Sequence, residues 1–146
     1  MQQRNNAFFN LFENTFLVLK EEFGEDEALR LFRIIMENGL KTAYGNEFTK
    51  GKAEEFAHVV GERDDAVGLE VAFPKVDDDK IIYQFHTDPF PGLKGHVAPE
   101  KLDATYLNFK IDRLLGTGWT YETTKHLWLG DNCSEHVIVR SKSNDC

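Results

Sequence analysis

Leu69-Glu70-Val71-Ala72-Phe73-Pro74-Lys75-Val76-Asp77-Asp78-Asp79-Lys80-Ile81-Ile82-Tyr83-Gln84-Phe85-His86 is the stretch in which the pattern of the chain changes. Leu69, Val71 and Phe73 alternate with Glu70 and Ala72, which is the two-residue period of a strand, and Pro74 ends the run. Asp77-Asp78-Asp79 makes a turn, because short acidic side chains tolerate tight backbone geometry. Ile81 to His86 returns as the partner strand, so Leu69 to His86 reads as a β-hairpin.

Upstream of it the period is helical. Phe8, Phe12, Phe16, Leu19 and Phe23 recur at steps of three and four, widened by Phe9, Leu11 and Leu17. Gly24 is a natural stop. Glu25-Asp26-Glu27 suit the positive end of a second helix, which carries Leu31, Phe32, Ile34, Ile35 and Leu40 up to Gly45. So short a link implies an antiparallel helical hairpin. A weaker third helix spans Lys52 to Val60, with Phe56, Val59 and Val60 inward.

Downstream, Asp88 to Ala98 holds two prolines and two glycines and reads as a loop beside the sheet. Pro99 suits a first helical position, and Leu102, Tyr106, Phe109 and Leu114 carry a long amphipathic helix to Gly116. Trp119 to Leu129 alternates again, Gly130-Asp131 turns the chain, and Glu135 to Arg140 returns. The expectation is an α+β fold. N-terminal helices precede a hairpin–helix–hairpin unit that forms a four-stranded antiparallel sheet with helices on one face. The 146 residues suit one domain, with a helical part at 1–62 and a sheet-plus-helix part at 66–140.

Composition narrows the partners. The formal net charge is −8, from 25 acidic and 17 basic residues, which repels phosphate backbones and anionic membranes, so no nucleic acid and no membrane are expected. No apolar run approaches the roughly 20 residues that span a bilayer. The N-terminal stretch leads into an amphipathic segment containing Glu13, unlike a signal peptide, and a cytoplasmic location is expected. Two cysteines, Cys133 and the last residue Cys146, do not make a disulfide framework in a chain of this size. Dinucleotide, P-loop, zinc-protease, serine-hydrolase and CxxC motifs are absent, so no cofactor is expected.

The remaining chemistry gathers around the sheet. Cys133 follows the Gly-Asp turn; it becomes a nucleophile where a base or backbone donors lower its pKa, or else it is a small buried apolar residue. His86, His126 and His136 fall on the expected strands. His126 shares a face with Thr124 and Trp128, and His136 with Ile138. Across the hairpin, His126 and His136 line one pocket and exchange protons near neutrality. No two histidines have the spacing of a local ligand pair, so no metal is expected. Asp131 orients a histidine or a substrate amine, or bonds its own backbone in the turn, and the turn is favoured. Trp119, Tyr121 and Trp128 form an aromatic wall for a small planar ligand, or pack into the core. Asp112 and Arg113 form a surface pair.

Three stretches carry a resemblance: Gly24-Glu25-Asp26-Glu27-Ala28, Leu107-Asn108-Phe109-Lys110-Ile111-Asp112 and Leu127-Trp128-Leu129-Gly130-Asp131-Asn132-Cys133. The chain resembles the L-2-amino-thiazoline-4-carboxylic acid hydrolase family, whose fold is related to the small-ligand-binding 4-vinyl reductase (V4R) domain. The third stretch, a closing Gly-Asp phrase that ends in cysteine, is the specific one. After it comes Ser134-Glu135-His136 where members carry an acidic or aromatic run, and His86-Thr87-Asp88-Pro89 stands near an expected Cys-Pro pair. The resemblance implies hydrolytic opening of a cyclic amidine-like ring, with Cys133 its motif-matched residue. The expected function is therefore binding of a small molecule, with hydrolysis of a cyclic carbon–nitrogen bond open. The candidate catalytic residues are Cys133, His126 and His136; the candidate ligand-binding residues are His86, Tyr121, Trp128 and Asp131. The alternatives are a non-catalytic V4R-like sensor and a homodimeric module built on the hairpin from Ala7 to Tyr44.

Overall fold

The computed structural model describes residues 4–141, and Cys146 lies outside them. Helix α1 (Asn6–Phe23) starts where the Asn5 side chain accepts the Phe8 backbone N–H at 3.2 Å, which satisfies one of the free donors of the first turn. It ends at Gly24, whose φ of 86° is open to glycine at no steric cost, and α2 (Glu25–Tyr44) begins at the next residue. Phe16 and Phe32 meet edge to face at 5.4 Å in the seam of this hairpin, and Phe32 also meets Phe90 at 6.1 Å.

The inward row of α1 is rotated from the expected one. Phe9, Glu13 and Phe16 are buried, whereas Phe8, Leu11, Val18 and Phe23 are exposed. Glu13 is inside because it accepts the backbone N–H of Gly92 and pairs with Arg4 at 3.4 Å. A Cβ at residue 92 would lie 2.7 Å from the Glu13 carboxylate, so only glycine allows this approach. Arg4 in turn donates to the Pro89 carbonyl at 2.8 Å. The start of α1 is thereby fastened to the loop that follows the first hairpin.

Helix α3 (Ala53–Ala66) runs six residues past the expected end at Val60. The expected helix stops short of Glu62-Arg63-Asp64-Asp65, yet Asp64 continues the row Phe56–Val60 at four-residue steps and is buried. Strands β1 (Val71–Val76) and β2 (Lys80–Phe85) form the expected hairpin. Pro74 does not end β1: it sits in a bulge between Ala72 and Lys75 on an edge strand, where the missing N–H costs little. His86 falls just beyond β2. The loop that follows contains one short helical turn, Pro91–Leu93.

Helix α4 (Pro99–Leu114) leads to β3 (Trp119–Lys125) and β4 (Ser134–Arg140). β3 is four residues shorter than expected, since a bulge between Thr123 and Lys125 interrupts its pairing and Leu127–Leu129 forms a helical turn. The four strands are antiparallel in the order β1-β2-β4-β3. β2 and β4 are central, and one cross-strand row runs Tyr83, His136, Thr123. Helix α3 packs on β1 and β2, α4 on β3, and the α1–α2 hairpin on α4 through α2. The α+β architecture is as expected. Arg113 does not pair with Asp112; it donates to the Gly45 carbonyl at 2.8 Å and to Asn46 Oδ1 at 2.6 Å, closing the end of α2. No helix among the described residues is long and apolar enough to cross a membrane.

Candidate functional site

Where α3, β2 and α4 meet, six polar side chains form a buried seam. The Tyr83 hydroxyl donates to Asp64 Oδ2. Lys110 Nζ lies 3.4 Å from each Asp64 oxygen and 3.2 Å from the Tyr83 hydroxyl. The ammonium also sits 5.4 Å from the Tyr83 ring centre and 5.2 Å from that of Tyr106, within cation–π range. One turn earlier on α4, Tyr106 donates to Asp103 Oδ1 at 2.8 Å, and Asp103 Oδ2 lies 3.1 Å from His126 Nε2. Lys110, Asp64, Asp103 and His126 are all nearly excluded from solvent. Burial, followed by the charge of Asp64, pushes the Tyr83 phenol well above its ordinary range; burial and Asp103 do the same to Tyr106. Both therefore remain protonated and act as donors.

The seam forms one wall of a cavity of about 350 Å³. Asp64, Tyr83, Tyr106 and Lys110 supply its polar side, with Arg63 beside them. Phe8, Phe9 and Phe12 of α1, Met36 and Leu40 of α2, and Phe85 and Phe90 supply the apolar remainder. A concave, mainly apolar space with a few converging polar groups is the usual form of a small-molecule site.

His126 and His136 reach the same side of the sheet by different routes. The bulge after Thr123 resets the alternation, so His126 and Trp128 turn inward while Thr124 stays exposed. His126 Nδ1 accepts the Trp128 backbone N–H at 3.0 Å, which puts the proton of the neutral ring on Nε2, facing Asp103. Both ring nitrogens are thus engaged, and the ring holds Asp103 in place. His136 is fully buried, with Nδ1 2.8 Å from the Thr123 hydroxyl and Nε2 without a hydrogen-bond partner among the described residues. Burial lowers its pKa to about 4; Asp103 opposes the shift, whereas Lys110 and His126 add to it. The two histidines therefore share the surroundings of Asp103.

Cys133 is buried, and neither histidine is among the groups whose charge acts on its thiol. The charges that reach its thiol are those of Lys125, Glu135 and Asp131, and burial raises its pKa. The thiol form prevails at neutral pH. Asp131 accepts the His126 backbone N–H at 2.8 Å, as a turn residue does. The Trp128 indole donates to Asp88 at 2.7 Å, and its ring meets His126 at 5.4 Å. Tyr121 meets His136 edge-on at 6.0 Å and lines a separate surface groove between α2, α4 and β3. His86 is exposed, with Nδ1 3.1 Å from the Glu70 carbonyl.

Sequence reasoning missed Asp64, Asp103 and Lys110. The available signal was a charge on an apolar helical row: Asp64 after Phe56 and Val60, and Asp103 and Lys110 in register with Tyr106, Leu107 and Leu114. Among the described residues no three His, Cys, Asp or Glu side chains are grouped to hold a metal ion. No protein-family model matches the chain, and no curated protein matches it.

Proposed function

We propose that the chain is a small-molecule-binding domain whose ligand occupies the cavity between the α1–α2 hairpin and the α3–β2–α4 seam. One observation carries this reading: an apolar cavity of about 350 Å³ has a carboxylate, an ammonium and two phenols converging on one wall. Buried polar groups cost stability unless satisfied, and a wall of this kind serves to orient a ligand. Filling the space tests the reading. Ala43 lines the cavity from α2, and Ala43→Trp is expected to weaken binding of an apolar fluorescent probe at least about tenfold, some 1.4 kcal/mol. Retained binding by a folded Ala43→Trp protein would put the probe elsewhere.

A hydrolytic role is a second proposal, supported by the Asp64–Tyr83–Lys110 cluster and by the resemblance to the thiazoline-carboxylate hydrolases. Asp64 would take a proton from water and pass it to the ring nitrogen as a cyclic carbon–nitrogen bond opens, while Lys110 would offset the charge that develops. The Tyr83 hydroxyl, which donates to Asp64, would hold that carboxylate in place. Cys133, with its raised pKa and its absence from the cavity lining, has no part in that scheme. Turnover of 2-amino-thiazoline-4-carboxylate is expected to survive Cys133→Ser and to fall at least about a hundredfold in Asp64→Asn, the usual scale for a general base. The opposite result would restore the thiol mechanism.

A further inference from the structure

We infer that the cavity selects an amphiphilic carboxylate, a molecule that joins an apolar ring or chain to a single anionic head. This rests on the reading of the cavity as a small-molecule site and names the chemistry of the occupant.

The charges of the lining point to an anion. Among the described residues that line it, Arg63 and Lys110 are cationic and Asp64 is the one anion, since Asp103 stands behind Tyr106. The lining thus carries an excess of positive charge in a chain of net charge −8. Asp64 is already committed, because it accepts the Tyr83 hydroxyl and faces Lys110 across 3.4 Å. Lys110 has three N–H groups and three acceptors, both Asp64 oxygens and the Tyr83 hydroxyl, so it contributes charge and no spare donor. The spare donors are those of Arg63. Arg63 is exposed and makes no hydrogen bond or ion pair among the described residues.

A free guanidinium and one committed acceptor favour a head group that accepts. A carboxylate does so with charge, and charge-assisted bonds are the stronger ones. An amine head would meet two cations instead. The rest of the lining, including Phe12, Leu40, Phe85 and Phe90, offers almost nothing to hydroxyl groups, so a sugar or nucleotide body is disfavoured and an apolar one favoured.

Three isosteric probes test this on the full chain by titration calorimetry: 2-naphthoate, 2-naphthamide and 2-naphthylmethylammonium. The acid is expected to bind at least about tenfold more tightly than the amide, in keeping with hydrogen bonds to charged groups, and the ammonium least tightly. Arg63 is exposed, so Arg63→Gln should fold normally; it is expected to reduce the preference of acid over amide to about threefold or less. Equal binding of the three probes, lost in Ala43→Trp, would overturn the anionic head and leave the cavity reading intact. Binding of none of them would overturn the cavity reading, and this inference with it.

Discussion

Lys110→Met is expected to lower the unfolding free energy by about 3–5 kcal/mol, the range for breaking a buried ion pair from one side. The loss comes less from the missing attraction than from what stays behind. Asp64 would remain in the interior with only the Tyr83 hydroxyl to answer its charge. Adding Asp64→Asn to Lys110→Met removes that charge, and the double variant should recover most of the loss, as neighbouring sites do when they are not additive. Urea unfolding of the two single variants and the double variant measures the coupling. A single-variant loss under about 1 kcal/mol, typical of exposed pairs, would mean that water screens the pair.

Acid should destabilise the protein through His136. Its pKa of about 4 in the folded state lies below its ordinary 6.5, chiefly because of burial. The unfolded chain therefore takes up this proton first as the pH falls. Stability tied to the neutral ring is complete above pH 6.5 and is lost progressively down to pH 4. At about 1.4 kcal/mol per pH unit, the loss over that window is about 3 kcal/mol. His136→Phe keeps a ring beside Tyr83 and Phe85 and removes the proton site. The difference in stability between pH 7 and pH 4.5 is expected to shrink by most of that amount in the variant. An unchanged difference would show that carboxylates alone set the acid limit.

The fold was legible where one residue row or one turn decided the outcome. Gly24, Asp77-Asp79 and Gly130 mark the joints, and the change from helical to two-residue period at Leu69 separates the two halves. The limits of the reading have local causes. Parity along β3 cannot anticipate a bulge, so it puts His126 on the face of Thr124, whereas the chain turns it inward. Likewise Glu62-Arg63-Asp64-Asp65 carries the polarity of a loop, and only the four-residue spacing from Val60 betrays that Asp64 is on the buried row. The candidate site was harder still. Its members come from α3, β2, α4 and the segment after β3, and no motif spans them. His126 and His136 stand out because histidine titrates near neutrality wherever it lies; Lys110 does not, because lysine on a helix is ordinarily a solvated residue.

The seam also bears on time. Asp64 reaches Lys110 across 46 positions, and Asp103 reaches His126 across 23. Neither contact belongs to a segment that can form by itself; both wait until α3, α4 and the strands have come together. Interactions made that late are largely absent from the folding transition state, so they slow unfolding far more than they speed folding. The buried charges thus govern how long each molecule remains folded once it has arrived.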